Sequence, residues 1–361
     1  QDNGSWVGPS RSPAGIDNGD WDNLGGGAGF AVVPDRADPD LVYWEWQGGN
    51  VQRLDRRTGD SKDIKPQPGP GEPDYRFNWN TPIVTSPGRG ERLYVGSQFL
   101  HRSTDRGDTW KRISGDLTTN DPALQRQLES GGLTVDNTTA ENHCTIFTIA
   151  ESPRDRRVVW AGTDDGNLQV TSDDGARWTN VAANLSGVPG GTWISSVEAS
   201  PHDRRAAFVT ADGHRSGDMA PYVLATTDLG VTWRPLATAE VTGHAHVIRQ
   251  DPVNPDLLYL GTEDGLFITL DGGRHWARFA EEFPAVPVYD LVVHGRDSAL
   301  VIATHGRGIW VIDDLTPLRH LTAAALEAPV ALLPSRPAVL RIPRDSQQFP
   351  GDNWYVASNP G

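Results

Sequence analysis

A β-propeller of four-stranded blades is the fold this sequence predicts, on three observations. The pattern Ser/Thr-x-Asp-x-Gly-x-x-Trp occurs four times, as "STDRGDTW" (103–110), "TSDDGARW" (171–178), "TTDLGVTW" (226–233) and "TLDGGRHW" (269–276). Each copy closes a longer unit whose short apolar runs come in the same order. The 39 Gly and 27 Pro punctuate runs of β-branched and aromatic residues, and only "LTAAALEA" (321–328) carries a helical period. A turn repeated at uneven intervals marks one structural unit used many times, with loops absorbing the differences in length.

The units align over most of the chain. Residues 152–178 match 251–276, then 200–214 with 222–233, and then 86–110. Weaker copies lie at 33–60, where the turn pattern has decayed, and at 296–314, where it is missing. Within a unit a first strand precedes "SP" or "DP", and a Pro/Asp/Arg turn leads to a second such as "VVWAGT". A "DDG" or "EDG" turn then enters a third strand, and the repeated acidic turn delivers a fourth that begins at its Trp.

The turn itself reads as structural. Asp105, Asp173, Asp228 and Asp271 are expected to accept backbone N–H groups two residues on, while Gly107, Gly175, Gly230 and Gly273 supply positive φ. Trp110, Trp178, Trp233 and Trp276 are large apolar plugs with one donor each, suited to packing between adjacent sheets.

Composition removes several functions. With 32 Lys and Arg against 47 Asp and Glu, the net charge of −15 argues against nucleic acid or an anionic membrane as partner. No apolar run is long enough for a transmembrane helix. Cys144 is the single cysteine and cannot form an internal disulfide. The start at Gln1 and the end at "ASNPG" read as a piece of a larger protein: a propeller over 1–318 and an extension over 319–361 leading towards a following domain.

The four turns resemble the Asp-box, or bacterial neuraminidase (BNR), repeat of sialidases, xyloglucanases and sortilin-type receptors. "RFNWNTPIVTSP", "ENHCTIFTIAESP", "DGHRSGDMAPYV", "GTEDGLF" and "THGRGIWVIDDLTPL" are similar to segments of large bacterial sortilin-like propeller proteins, a group often named glycosyl hydrolases. The resemblance spans about residues 1–320. It implies Asp boxes on the face away from the ligand, with second-to-third turns and first-strand starts on the opposite face. Because "QDNGSW" (1–6) resembles a second-to-third turn, six near-complete blades and a partial N-terminal one are expected. The cysteine-rich modules of animal sortilins have no counterpart.

That topology sends a defined set to the ligand-type rim. The turns supply Gln1, Asp2, Gln98, Asp164, Asp165, Asp212, His214, Glu263, Asp264, His305 and Arg307. The first-strand starts supply Arg76, Asn78, Trp79, Asn80, Glu141, His143, Trp193, His244, His246 and Asp290. Trp faces and carboxylates suit a sugar or a polar peptide. Asp164, Asp165, Asp212, Glu263 and Asp264 are the carboxylates that could carry catalysis.

Other signals are weaker. Asp17, Asp20 and Asp22 offer oxygen ligands for calcium without the spacing of an EF-hand, so no cofactor is expected beyond that candidate. His244 and His246 share one strand face and, lacking an evident third ligand, read as tunnel-lining residues. "LRIPRD" (340–345) echoes a sialidase arginine motif but lies after the last blade. The reading is therefore a non-catalytic, extracytoplasmic binding or assembly module that takes a protein or glycan on its rim and joins flanking domains. The alternative is a glycoside hydrolase using paired rim carboxylates.

Overall fold

The computed structural model describes residues 3–12, 15–88, 92–126 and 142–337. Five four-stranded antiparallel sheets span residues 29–63, 83–112, 146–180, 193–235 and 245–278, each in simple sequential order. A three-stranded sheet spans 288–312, giving six blades, and a two-stranded sheet of Ser5–Val7 with Asp22–Gly25 packs beside the first. The expected fold is therefore present. The sixth blade lacks a fourth strand because the chain after Ile309–Ile312 has no acidic turn. It passes instead into the helix Thr316–His320. The helical period at 321–328 appears as Ala323–Glu327, capped by the Thr322 hydroxyl. No helix of the described residues is long and apolar enough to cross a membrane.

First strands of successive blades lie side by side around a central cavity of about 510 Å³. Apolar clusters fill the space between blades. Trp160 and Leu168 of the third pack with Val197 and Val209 of the fourth, and Trp160 meets Trp233 edge-on at 6.0 Å. Trp233 and Trp276 are buried, and Trp110 and Trp178 half-buried. Three of these indoles donate to the preceding blade, at Ile64 O, Ile113 O and Leu236 O, whereas Trp233 donates to Gly230 O of its own turn.

The repeated turn differs in detail from the expectation. The Thr171 hydroxyl donates to Asp173 and accepts the Gly175 N–H, so the carboxylate is free to accept Arg177 N–H four residues on. The turns at Asp105, Asp228 and Asp271 repeat this arrangement. Two successive residues are left-handed, Asp174 at φ 65° and Gly175 at φ 90°. Glycine is required at the second because an added Cβ would lie 2.7 Å from Ile113 O of the neighbouring blade.

Each first strand from the third blade to the sixth carries a register shift near its start: 146/148, 194/196, 245/247 and 288/290. The first blade has one between Gly29 and Val32. These bulges end the ladder at one mouth of the propeller and re-aim the side chains there.

Candidate functional site

The mouth bearing the second-to-third turns gathers expected residues unequally. Asp164 and Asp165 were expected on an open rim, but they are 0 % and 3 % exposed. Asp164 accepts Asn78 Nδ2 at 2.9 Å and Thr145 N–H at 2.8 Å. Burial pushes its carboxyl pKa up, against the pull of His143, whose Nδ1 is 3.9 Å away. Asp165 accepts both the N–H and the hydroxyl of Thr119 at 2.7 Å. Both carboxylates hold neighbouring segments together, because donors from distant parts of the chain close over them.

Arg76 is likewise turned inward, pairing with Asp116 at 2.9 Å and donating to Cys144 O. Trp79 and Asn80 are half-buried beside the first blade, where Trp79 O accepts Gly48 N–H. Gln98 accepts Arg76 N–H through its side chain. Arg307 and His305 are exposed, the latter edge-on to Tyr289 at 5.2 Å. Asp264 is half-buried, with its N–H on the Thr262 hydroxyl. Gln1, Asp2, Glu141 and the 340–345 motif lie outside the described residues. Asp17 and Asp20 cap a short 3₁₀ turn, and Asp22 pairs with Arg56 at 2.9 Å.

The residues that do converge come from the fourth, fifth and sixth blades. Asp212, at the end of the second strand of the fourth blade, accepts His214 N–H at 2.9 Å and lies 2.7 Å from its Nδ1. His244 Nε2 stands 3.9 Å from Asp212 Oδ1 and 3.6 Å from Glu263 Oε2. His246 Nε2 is 3.1 Å from the same Glu263 oxygen. Burial lowers the His246 pKa, with its Glu263 hydrogen bond opposing. Packing fixes the rings: His214 stacks on His244 at 4.7 Å, and His246 stacks on Tyr289 at 4.2 Å. Arg215 covers one face of Trp193 at 3.8 Å and stands 3.8 Å from Asp212.

The histidine pair thus has company that the sequence reading denied it. Among the described residues, two groups bring metal-type ligand atoms within 4.8 Å of one another: Asp212–His214–His244 and His244–His246–Glu263. Asp17, Asp20 and Asp22 do not form one.

Sequence reasoning missed Tyr289, 50 % exposed beside these histidines, and the tunnel group below them. There Glu198, enclosed by the tunnel walls though 24 % exposed to its lumen, is pushed up to about 7 by burial, with Arg249 at 3.8 Å opposing. Arg249 also holds Asp290 at 3.0 Å. Tyr289 adjoins Asp290, one of the first-strand starts expected at the rim. The bulge between Val288 and Asp290 breaks the alternation that would have separated them.

No family model matches the chain. It is 26% identical to a xyloglucanase of a Paenibacillus species over 243 residues, 59% of this chain and 22% of that protein. A xyloglucanase of Acetivibrio thermocellus is 26% identical over 250 residues, 59% of this chain and 26% of that one. The chain therefore spans about a quarter of the length of the curated relatives it matches. A GH74 xyloglucanase from Xanthomonas campestris superposes with TM-score 0.54 and 21% identity, over 80% of this chain and 46% of that one. An ancestral GH74 enzyme gives 0.55 and 15% over 79% and 36%. These structures share the β-propeller fold with this chain. The expectation of a non-catalytic binding module is corrected by these likenesses, since the relatives are named as hydrolases and favour the alternative.

Proposed function

We propose that the chain is the propeller of a glycoside hydrolase acting on a β-linked glucan of the xyloglucan kind, bound across the mouth beside Trp193 and Tyr289. The observation that carries this reading is the placement of Asp212 and Glu263 on one nitrogen, 3.9 and 3.6 Å from His244 Nε2. That geometry keeps the two carboxylates within roughly 8 Å of each other, below the upper limit of about 9.5 Å for paired glycosidase carboxyls. Aromatic faces bind sugar rings and the carboxylates act on the bond between them. The 1–318 propeller with its 319–361 extension, and an extracytoplasmic location, belong to the same proposal. So does the finer kinship with Asp-box and sortilin-like proteins, supported by 37% identity over 84 residues to a vacuolar protein sorting/targeting protein 10 of Aspergillus flavus, 22% of this chain and 6% of that one.

The test is release of reducing ends from xyloglucan and mixed β-glucans. Asp212→Asn and Glu263→Gln should each lower turnover by about 10²–10⁴-fold while the fold is retained. No release by the wild-type chain, or release indifferent to both substitutions, overturns the proposal.

A further inference from the structure

Within the mouth group, His244 has a setting that hydrogen bonding does not explain. His244 is 3 % exposed, yet its Nδ1 has no partner and its Nε2 is farther than a hydrogen bond from both carboxylates it faces. Two carboxylates thus face the buried rings of His244 and His246, an arrangement that a cation between them would stabilise.

We propose that His244 Nε2, His246 Nε2 and Glu263 Oε2, with Asp212 completing the set, bind a divalent transition metal of the zinc type. Ligands about 2.0–2.1 Å from a tetrahedral ion lie about 3.4 Å from one another. The two Glu263 contacts, 3.1 and 3.6 Å, bracket that edge, while Asp212 Oδ1, 3.9 Å from His244, stands in a separate ligand group and must swing in to complete the set. Two imidazoles with carboxylates favour zinc over calcium or magnesium, which take oxygen alone. The surroundings are those of a ligating group: His214 donates to Asp212, and stacking on Tyr289 and His214 fixes the two ligand rings. Arg215 stands 3.8 Å from Asp212 Oδ2, while Oδ1 accepts the His214 N–H and faces His244.

The site lies on the carboxylates of the proposed hydrolase without depending on that activity. Its test reads metal directly and in the absence of glycan. Protein stripped with a chelator is dialysed against buffered Zn²⁺, and bound metal is measured by mass spectrometry. One Zn²⁺ per chain is expected, with Glu263→Gln and His246→Asn each weakening retention by about 100-fold or more. Substituted Co²⁺ should give the visible absorption of a tetrahedral nitrogen–oxygen site, lost in the same variants. If His246→Asn fails to fold, Glu263→Gln decides alone, since that side chain is 39 % exposed and folds without it. Substoichiometric zinc, or full zinc retained by the variants, overturns the site. If zinc binds and glycan is still not cleaved, the metal site stands and only the hydrolase reading falls.

Discussion

Arg319 and Asp251 meet at 2.9 Å with side chains 7 % and 0 % exposed, tying the helix after the sixth blade to the corner of the fifth. Arg319 Nε adds contacts of 3.0 Å to both carboxylate oxygens, and Tyr259 donates to one of them. Arg319→Leu leaves a buried carboxylate with no cation, which should cost about 3–5 kcal/mol. Chemical denaturation should show a matching fall in midpoint, and the double variant Arg319→Leu with Asp251→Asn should recover part of it.

Acid should unfold the protein through its repeated turns. Asp105 is held at about 2, first by the Thr109 hydroxyl and then by Thr109 N–H. Thr232 holds Asp228 at about 2 in the same way, and the Arg177 N–H and guanidinium do so for Asp173. Each folded value lies below that of the unfolded chain, so the stability they contribute is complete above the ordinary carboxylate range. It is lost as pH falls through about 4 towards 2. Melting temperature followed from pH 6 to pH 2 should drop in that window, and Asp173→Ala should start lower and fall less steeply.

Glu45 should act in the opposite sense. Its side chain is fully buried and its carboxyl is pushed up to about 8 by that burial, against N–H groups of Thr81 and Gly49. Between the ordinary value of 4.5 and about 8, the unfolded chain has released a proton that the folded chain keeps, so stability declines as pH rises through that window. Glu45→Gln keeps an acceptor for both N–H groups and removes the titration. Its melting temperature should stay flatter than that of the wild type from pH 5 to pH 8, and equal slopes would refute the assignment.

Gly230→Ala should be a destabilising change on the exterior-facing turn of the fourth blade. The residue has φ 81°, and the new methyl would lie 2.8 Å from Val181 of the preceding blade. A strained left-handed residue costs about 1–3 kcal/mol. Gly187→Ala, also left-handed at φ 81° but with nothing within 4 Å, isolates the backbone part, so a larger loss is expected at Gly230.

The blades were legible because their signals are local: hydroxyl, carboxylate and glycine of each turn satisfy one another within five residues. The site was only half legible because its partners are not. "DDG" at 164–166 looks like an exposed turn, yet Asn78 and Thr119 reach it from other blades and bury both carboxylates. His244 and His246 were visible as a pair, but Glu263 reaches them from a turn seventeen or more residues on in the same blade, and Asp212 joins them only once the fourth and fifth blades are side by side. Tyr289 was hidden by a register shift that simple alternation does not foresee.

Those shifts have a consequence for how such a mouth can change. In a regular ladder, inserting or deleting one residue turns every following side chain to the opposite face. A slack residue at the start of five of the six first strands confines such an event to the last few positions, leaving the paired segments beyond it, such as Val247–Gln250 on Leu258–Gly261, undisturbed. The molecule is thereby divided into a conserved-geometry hub and an interchangeable collar. Each of those five blades can trade its contribution to the collar separately, so one scaffold can be re-equipped for a new ligand piece by piece.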